Sequence, residues 1–199
     1  MEIYIIRHGQ TDWNKNGKLQ GGTDVPLNEN GREMARNLSV AIKDVKFDRM
    51  YCSPLCRARE TAEIVKRDRA IELLADERIH EISFGVCEGV DYRPPKEDTP
   101  IWNFFFNTGE YEAPEGAETL ESIIERAKNF LIDEIEPLEG KYERIAIVAH
   151  GAMNKALFCH IKQHGKEEFW SGGPQRNCNV AIVKYEGGNY ETVTECLEY

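Results

Sequence analysis

The chain has 199 residues, 41% hydrophobic and 30% charged, which suits a water-soluble globular protein with a sizeable core. Its formal net charge of -10 excludes the basic footprint of a general nucleic-acid binder, yet a few local arginines can still make a pocket for a small anion. The apolar start, Met1 to Ile6, stops at Arg7 and His8, too short for an export signal or a membrane span. A cytoplasmic setting without a membrane partner is therefore expected. The six cysteines, Cys52, Cys56, Cys87, Cys159, Cys178 and Cys196, read as reduced thiols. Their spacing completes no zinc pattern, so no metal is expected.

In chain order, Glu2 to Ile6 is a β-branched run that predicts a buried strand. Residues 16–30, rich in Gly, Asn and Asp, predict a loop. Asn28 then caps a helix over about 29–43, with Met34, Leu38 and Ile42 on one face. Phe47 to Cys52 predicts a second strand. Ser53 as cap and Pro54 at the first helical position predict a helix to about Lys66. A short strand is expected within Leu74 to Ile82. Residues 86–118 break the pattern with prolines and the aromatic cluster Trp102, Phe104, Phe105 and Phe106, and read as an insertion or cap. The cluster is expected to pack on the insertion's own small core or a dimer contact rather than to cap a substrate.

Thr119 to Leu131 returns to helical spacing, Arg144 to Ala149 is another β-branched strand, and a helix follows from about Ala152 to Lys162. Residues 179–185 and 190–197 predict a hairpin turning at Gly187, Gly188 and Asn189. Strands alternating with helices imply an α/β three-layer sandwich, a mostly parallel central sheet covered on both faces. One domain spanning 1–199 is expected. Ligands in such folds bind beyond the carboxyl ends of the strands. Three reactive segments stand there: Arg7-His8-Gly9, Ser53 to Arg59, and His150-Gly151.

Two histidines and two arginines in one place favour an anion. Guanidinium groups match phosphate oxygens and repel a metal cation. A histidine with an unprotonated nitrogen can be a covalent nucleophile, and Gly9 would let the backbone approach the bound group. Together these point to phosphoryl transfer.

Arg7-His8-Gly9-Gln10-Thr11 with Trp13-Asn14 resembles the signature of the histidine phosphatase superfamily, also called phosphoglycerate mutase-like. The resemblance continues through Gln20-Gly21, Asp24-Val25-Pro26-Leu27, Ser53-Pro54-Leu55-Cys56-Arg57-Ala58-Arg59-Glu60-Thr61-Ala62, Glu81 with Gly85, Glu88 and Gly89, Pro114 to Thr119, and Ala149-His150-Gly151. It covers nearly the whole chain. It implies that His8 attacks phosphorus, that Arg7, Arg57 and His150 bind the phosphoryl oxygens, and that Asn14 adds a hydrogen bond. Glu81 would be the general acid and then the base. Amides at the helix start, Gly151 onward, would favour the anion. No cofactor or metal is implied, and the partner is a small phosphorylated substrate.

Glu60 and Ala152 depart from the residues frequent in the family. Ile82-Ser83-Phe84 follows the acid where mutases carry a basic and aromatic pair, and no long basic insertion is present. These absences favour a phosphatase over a cofactor-dependent phosphoglycerate mutase, and the presence of every candidate catalytic group disfavours a silent phosphoryl-binding module. His80, His160 and His164 match nothing in the family, and Arg59 reads as a helix-face charge. The leaving group and the oligomeric state stay open.

Overall fold

The computed structural model describes residues 1–93 and 95–197, apart from the side chain of Cys196. Expectations for that thiol and for Pro94 lie outside the described residues.

The frame grows from two β-branched runs. β1 (Glu2–Arg7) and β4 (Arg144–Ala149) pair in parallel, from Glu2 opposite Arg144 to Arg7 opposite Ala149. Neither alternates apolar with polar residues, because both faces of each strand are covered. Successive side chains still point to opposite faces. Ile3 and Ile5 join Ile145 and Ile147 in one core cluster, while Ile6 joins Ala146 and Val148 in the other. Burying each large aliphatic side chain contributes about 1.5–3 kcal/mol.

β2 (Arg49–Cys52) pairs with β4, and β3 (Glu72–Ala75) with β2, both in parallel. β5 (Val180–Glu186) runs antiparallel beside β1, and β6 (Asn189–Leu197) beside β5. The six-stranded order is β3-β2-β4-β1-β5-β6. Helices α2 (Glu29–Ala41) and α3 (Cys56–Lys66) cover one face. Helices α5 (Leu120–Phe130) and α6 (Gly151–Lys162) cover the other. This is the expected three-layer α/β sandwich. The hairpin turns at Gly187 and Gly188, whose φ values of 58° and 78° suit a two-residue turn with left-handed backbone.

Three local expectations are corrected. Helix α3 starts at Cys56, and Ser53 is not its cap: the Ser53 hydroxyl bonds His150 instead. The strand expected within Leu74 to Ile82 is β3, which ends at Ala75. Asp76 accepts the Arg78 N–H at 2.8 Å and starts a 3-10 turn over Glu77–Ile79. The irregular span 86–118 contains a seven-residue helix, α4 (Pro100–Phe106), with Thr99 as its cap and Pro100 in its first turn. A short helix α1 (Asp12–Asn16) also forms, closed by a reciprocal capping box between Thr11 and Asn14.

Candidate active site

β1, β4 and β2 are neighbours, so their carboxyl ends lie side by side. The His8 N–H reaches the Ala149 carbonyl at 3.0 Å, and the Ser53 N–H reaches the Val148 carbonyl at 3.0 Å. His8, Ser53 and His150 thus each stand one residue past a strand end.

The His8 and His150 rings are 5.1 Å apart between centroids, and both are buried. His8 Nδ1 lies 2.6 Å from the Gly9 carbonyl, which can only accept. Nδ1 therefore carries the proton, and Nε2 keeps its lone pair. Burial, then Arg57, then Arg7, holds His8 well below the ordinary histidine value of 6.5. Burial and the charges of Arg57 and Arg7 lower His150 in the same way. Both rings are neutral near pH 7.

Ser53 Oγ accepts the Leu55 N–H at 3.3 Å and lies 2.7 Å from His150 Nε2. If the hydroxyl donates to Nε2, His150 carries its proton on Nδ1, and that buried atom has no protein partner. Arg57 is fully buried and gives its two terminal nitrogens to the carbonyls of Thr23 (2.9 Å) and Gly21 (2.7 Å). Arg7 donates to the Gln175 carbonyl at 2.5 Å. The Nε atoms of both arginines are buried without an acceptor. Burial lowers both guanidinium pKa values, but arginine remains cationic. Buried donors are almost always paired. Two unpaired guanidinium nitrogens, with His150 Nδ1 as a third donor in that tautomer, beside a neutral histidine suit an anion.

Glu81 is buried and fixed by three amides. Its Oε1 accepts from Ile82 (3.1 Å) and Met153 (3.0 Å), and its Oε2 from Ala152 (3.2 Å). The Ala152 and Met153 amides, expected to face a bound anion, are therefore spent on Glu81. Gly9 also serves a different purpose from the one expected. A Cβ there would stand 2.5 Å from the Gly31 carbonyl, so the glycine permits the close approach of α2.

Arg7, Asn14, Glu81 and Gly151 line a cavity of about 510 Å³, and this set of candidate phosphoryl-binding residues can be called its floor. His8, Arg57 and His150 are buried and are not among the residues that line the cavity. Asn14 Oδ1 accepts the Thr11 N–H at 3.1 Å and lies 3.4 Å from Asn177 Nδ2, so its own Nδ2 is the atom left to donate. The aromatic cluster divides. Phe104 is buried in the main core, not in a separate small core of the insertion, and with Phe105 and Phe106 it also lines the cavity; Trp102 does not, and it packs on Phe106 at 5.5 Å.

Sequence reasoning attached no role to three residues that hold the site. Asn177 Nδ2 donates to the His8 carbonyl at 2.9 Å. Gln175 bonds the Ile5 and Asn179 carbonyls through Nε2 and Asn154 through Oε1. Glu88 accepts the amides of Gly22 (2.9 Å), Thr23 (2.8 Å) and Phe84 (3.0 Å), and the Thr23 hydroxyl. Gly21 and Thr23 are the residues whose carbonyls hold Arg57. The available signal was a polar loop, Gln175 to Asn179, feeding the strand beside β1.

Other residues are structural. Arg59 pairs with Glu63 one turn on, as a helix-face charge should, and Glu60 pairs with Arg32. His160 meets Glu136 at 3.0 Å, and His80 Nδ1 lies 2.5 Å from the Glu81 carbonyl. His164 lies 3.4 Å from the Ser171 hydroxyl. Among the described residues, five cysteines are free thiols and no helix is long and apolar enough to cross a membrane.

The sequence profile of the histidine phosphatase superfamily (branch 1) matches residues 3–196. An uncharacterized phosphatase PhoE of Bacillus subtilis is 34% identical over 161 residues, covering 80% of this chain and 76% of that protein. The structure of YhfR from Bacillus stearothermophilus superposes with a TM-score of 0.87 at 32% identity, covering 98% of this chain and 96% of that one. A phosphoserine phosphatase from Entamoeba histolytica, solved with phosphoserine, gives a TM-score of 0.82 at 27% identity, over 97% and 95% of the two chains. Relatives bearing phosphoglycerate mutase names match as well.

Proposed function

Because this chain belongs to the histidine phosphatase superfamily, and is an enzyme of it, we propose that it hydrolyses phosphomonoesters without a metal ion, through a phosphohistidine on His8. The observation that carries this reading is the trio of unpartnered buried nitrogens, Arg7 Nε, Arg57 Nε and His150 Nδ1, beside a histidine whose Nδ1 is already committed.

The steps follow from the atoms. The His8 Nε2 lone pair attacks phosphorus, and the bond from phosphorus to the ester oxygen breaks. The Glu81 carboxyl gives its proton to the departing oxygen. Its Oε2, with one amide bond against two on Oε1, is the oxygen to carry that proton. Arg7, Arg57, His150 and Asn14 offset the charge on the equatorial oxygens, and the Gly151 backbone borders them. Water then attacks phosphorus, Glu81 takes its proton, the P–N bond breaks and inorganic phosphate leaves. Two fixed guanidinium charges already supply the countercharge a metal would bring, and they would repel a cation from the same spot.

Residues 1–199 act in this reading as one catalytic domain with about 86–118 as its cap. The substrate is a small phosphorylated molecule, as phosphoserine is for the Entamoeba relative. The net charge of -10 supports a reading without nucleic acid, and cytoplasmic work without a membrane partner belongs to the same proposal. The mutase-named relatives support a second reading, in which a substrate hydroxyl replaces water. Isomerisation of 3-phosphoglycerate with bisphosphoglycerate separates the two.

The test is phosphate release from 4-nitrophenyl phosphate in excess chelator, by the wild type and by His8→Ala. Chelator-resistant turnover that disappears in the variant is expected. Turnover that survives His8→Ala contradicts the mechanism.

A further inference from the structure

Above the phosphoryl floor, the cavity has a wall of rings. Tyr92 stacks on Phe105 at 5.1 Å with 14° between planes, and Phe105 on Trp170 at 5.6 Å with 29°. All three line the cavity. The stack is anchored from behind. Trp170 Nε1 donates to the Phe104 carbonyl at 2.6 Å. The buried Phe104 ring meets Phe84 and Trp170 edge-on, at 4.9 and 5.4 Å. The wall is therefore fixed before anything binds, and a pre-ordered surface gives up little entropy on binding.

Part of the polar lining beside the same wall is already engaged. Gln20 Oε1 accepts from the Thr11 hydroxyl at 2.6 Å. The Arg93 guanidinium donates to the carbonyls of Asn14 and Lys15, at 3.2 and 3.1 Å. Both Glu81 oxygens face amides. A leaving group rich in hydroxyls would lose its water against the rings and meet donors only at their border, where Lys18, Gln20 and Arg93 also line the cavity, and each hydroxyl left unpaired costs binding. A flat apolar ring would lose nothing polar and gain contact with aromatic surface already held in place. Phe106, 64% exposed, is a further apolar residue of the same lining.

We propose that this cavity selects phosphomonoesters whose alcohol carries a flat apolar ring, over polyhydroxylated esters such as sugar or glycerol phosphates. The proposal rests on the phosphatase reading and names the substrate class of that same site.

The experiment compares kcat/KM for 2-phenylethyl phosphate and glycerol 1-phosphate. Both leave as primary alcohols of similar acidity, so the ratio reports the cavity and not the leaving-group chemistry. The wild type should prefer the phenylethyl ester about a hundredfold. Phe105→Ala should cut that ratio about tenfold. Tyr92→Ala, at the other end of the stack, supplies the same reading if Phe105→Ala does not fold. Glycerol phosphate hydrolysed as well as the phenylethyl ester overturns the ring preference and leaves the phosphatase reading standing. A ratio unmoved in a folded wall variant also overturns it. Hydrolysis of neither ester, nor of 4-nitrophenyl phosphate, overturns both readings.

Discussion

The floor of the cavity and its wall hold their side chains by different forces. On the floor, Arg7, Glu81 and Asn14 are each fixed by directional hydrogen bonds, many to backbone, and the buried Arg57 is fixed the same way. On the wall, Tyr92, Phe105 and Trp170 meet mainly through ring faces. A directional network is lost when one member goes, while ring contacts are lost by degrees. The difference teaches where chemistry and selectivity reside: floor substitutions should act on every substrate, and wall substitutions on some substrates more than others.

The largest expected effect is at the nucleophile. His8→Ala should lower kcat at least about a thousandfold for every phosphomonoester, measured by phosphate release. A substrate-dependent loss would erase the distinction between floor and wall. Next comes Glu81→Gln, which should lower kcat about a hundredfold or more. The loss should be greater for an alkyl ester than for 4-nitrophenyl phosphate, whose leaving group needs less protonation. Equal losses would mean that Glu81 positions groups without passing a proton.

A smaller effect is expected one step behind the floor. Burial opposes ionisation of Glu88, but bonds from Thr23, Phe84 and Gly22 hold its carboxyl below the usual range. Those same bonds set the loop whose carbonyls hold Arg57. Glu88→Gln keeps the shape and loses the charge. It should weaken kcat/KM about tenfold for all esters, with a parallel loss of vanadate affinity. A change in the phenylethyl-to-glycerol ratio instead would place Glu88 with the wall.

The smallest effect is on stability. His8 and His150 are neutral when folded because their pKa values lie well below 6.5, whereas the unfolded chain titrates near 6.5. Below that pH the unfolded chain binds protons that the folded one refuses, so the free energy of unfolding falls as pH falls. Urea midpoints should drop between about pH 7 and pH 5, before the carboxylates titrate. His150→Asn should flatten that slope. A flat wild-type profile would mean that the histidines are not held neutral.

Most of the floor was legible because its chemistry sits in short runs at strand ends. Arg7, His8 and Gly9 follow a β-branched run, and His150 and Gly151 follow another, so strand periodicity and reactive residue types point to one place. The wall was harder to read. Tyr92, Phe105 and Trp170 come together only through the folding of an irregular span and a late loop, and an aromatic residue has the same composition in a core as in a binding wall. Phe104 and Phe105 are adjacent in sequence yet do different work. Ser53 misled for a related reason: a serine before a proline reads as a helix cap, and only the approach of β4 turns its hydroxyl toward His150. The donors at the start of α6 were placed correctly, but their acceptor is Glu81, a residue 71 positions from Ala152 and 72 from Met153.

The central claim is that phosphorus passes through His8. The direct measurement is rapid quenching of the enzyme in alkali during turnover of a labelled ester, followed by mass spectrometry of its peptides. A phosphoryl group on His8 that survives alkali, disappears in acid and is absent from His8→Ala is the predicted result. A quenched enzyme that is fully turning over, yet carries no phosphoryl group or carries it on another residue, would contradict the account.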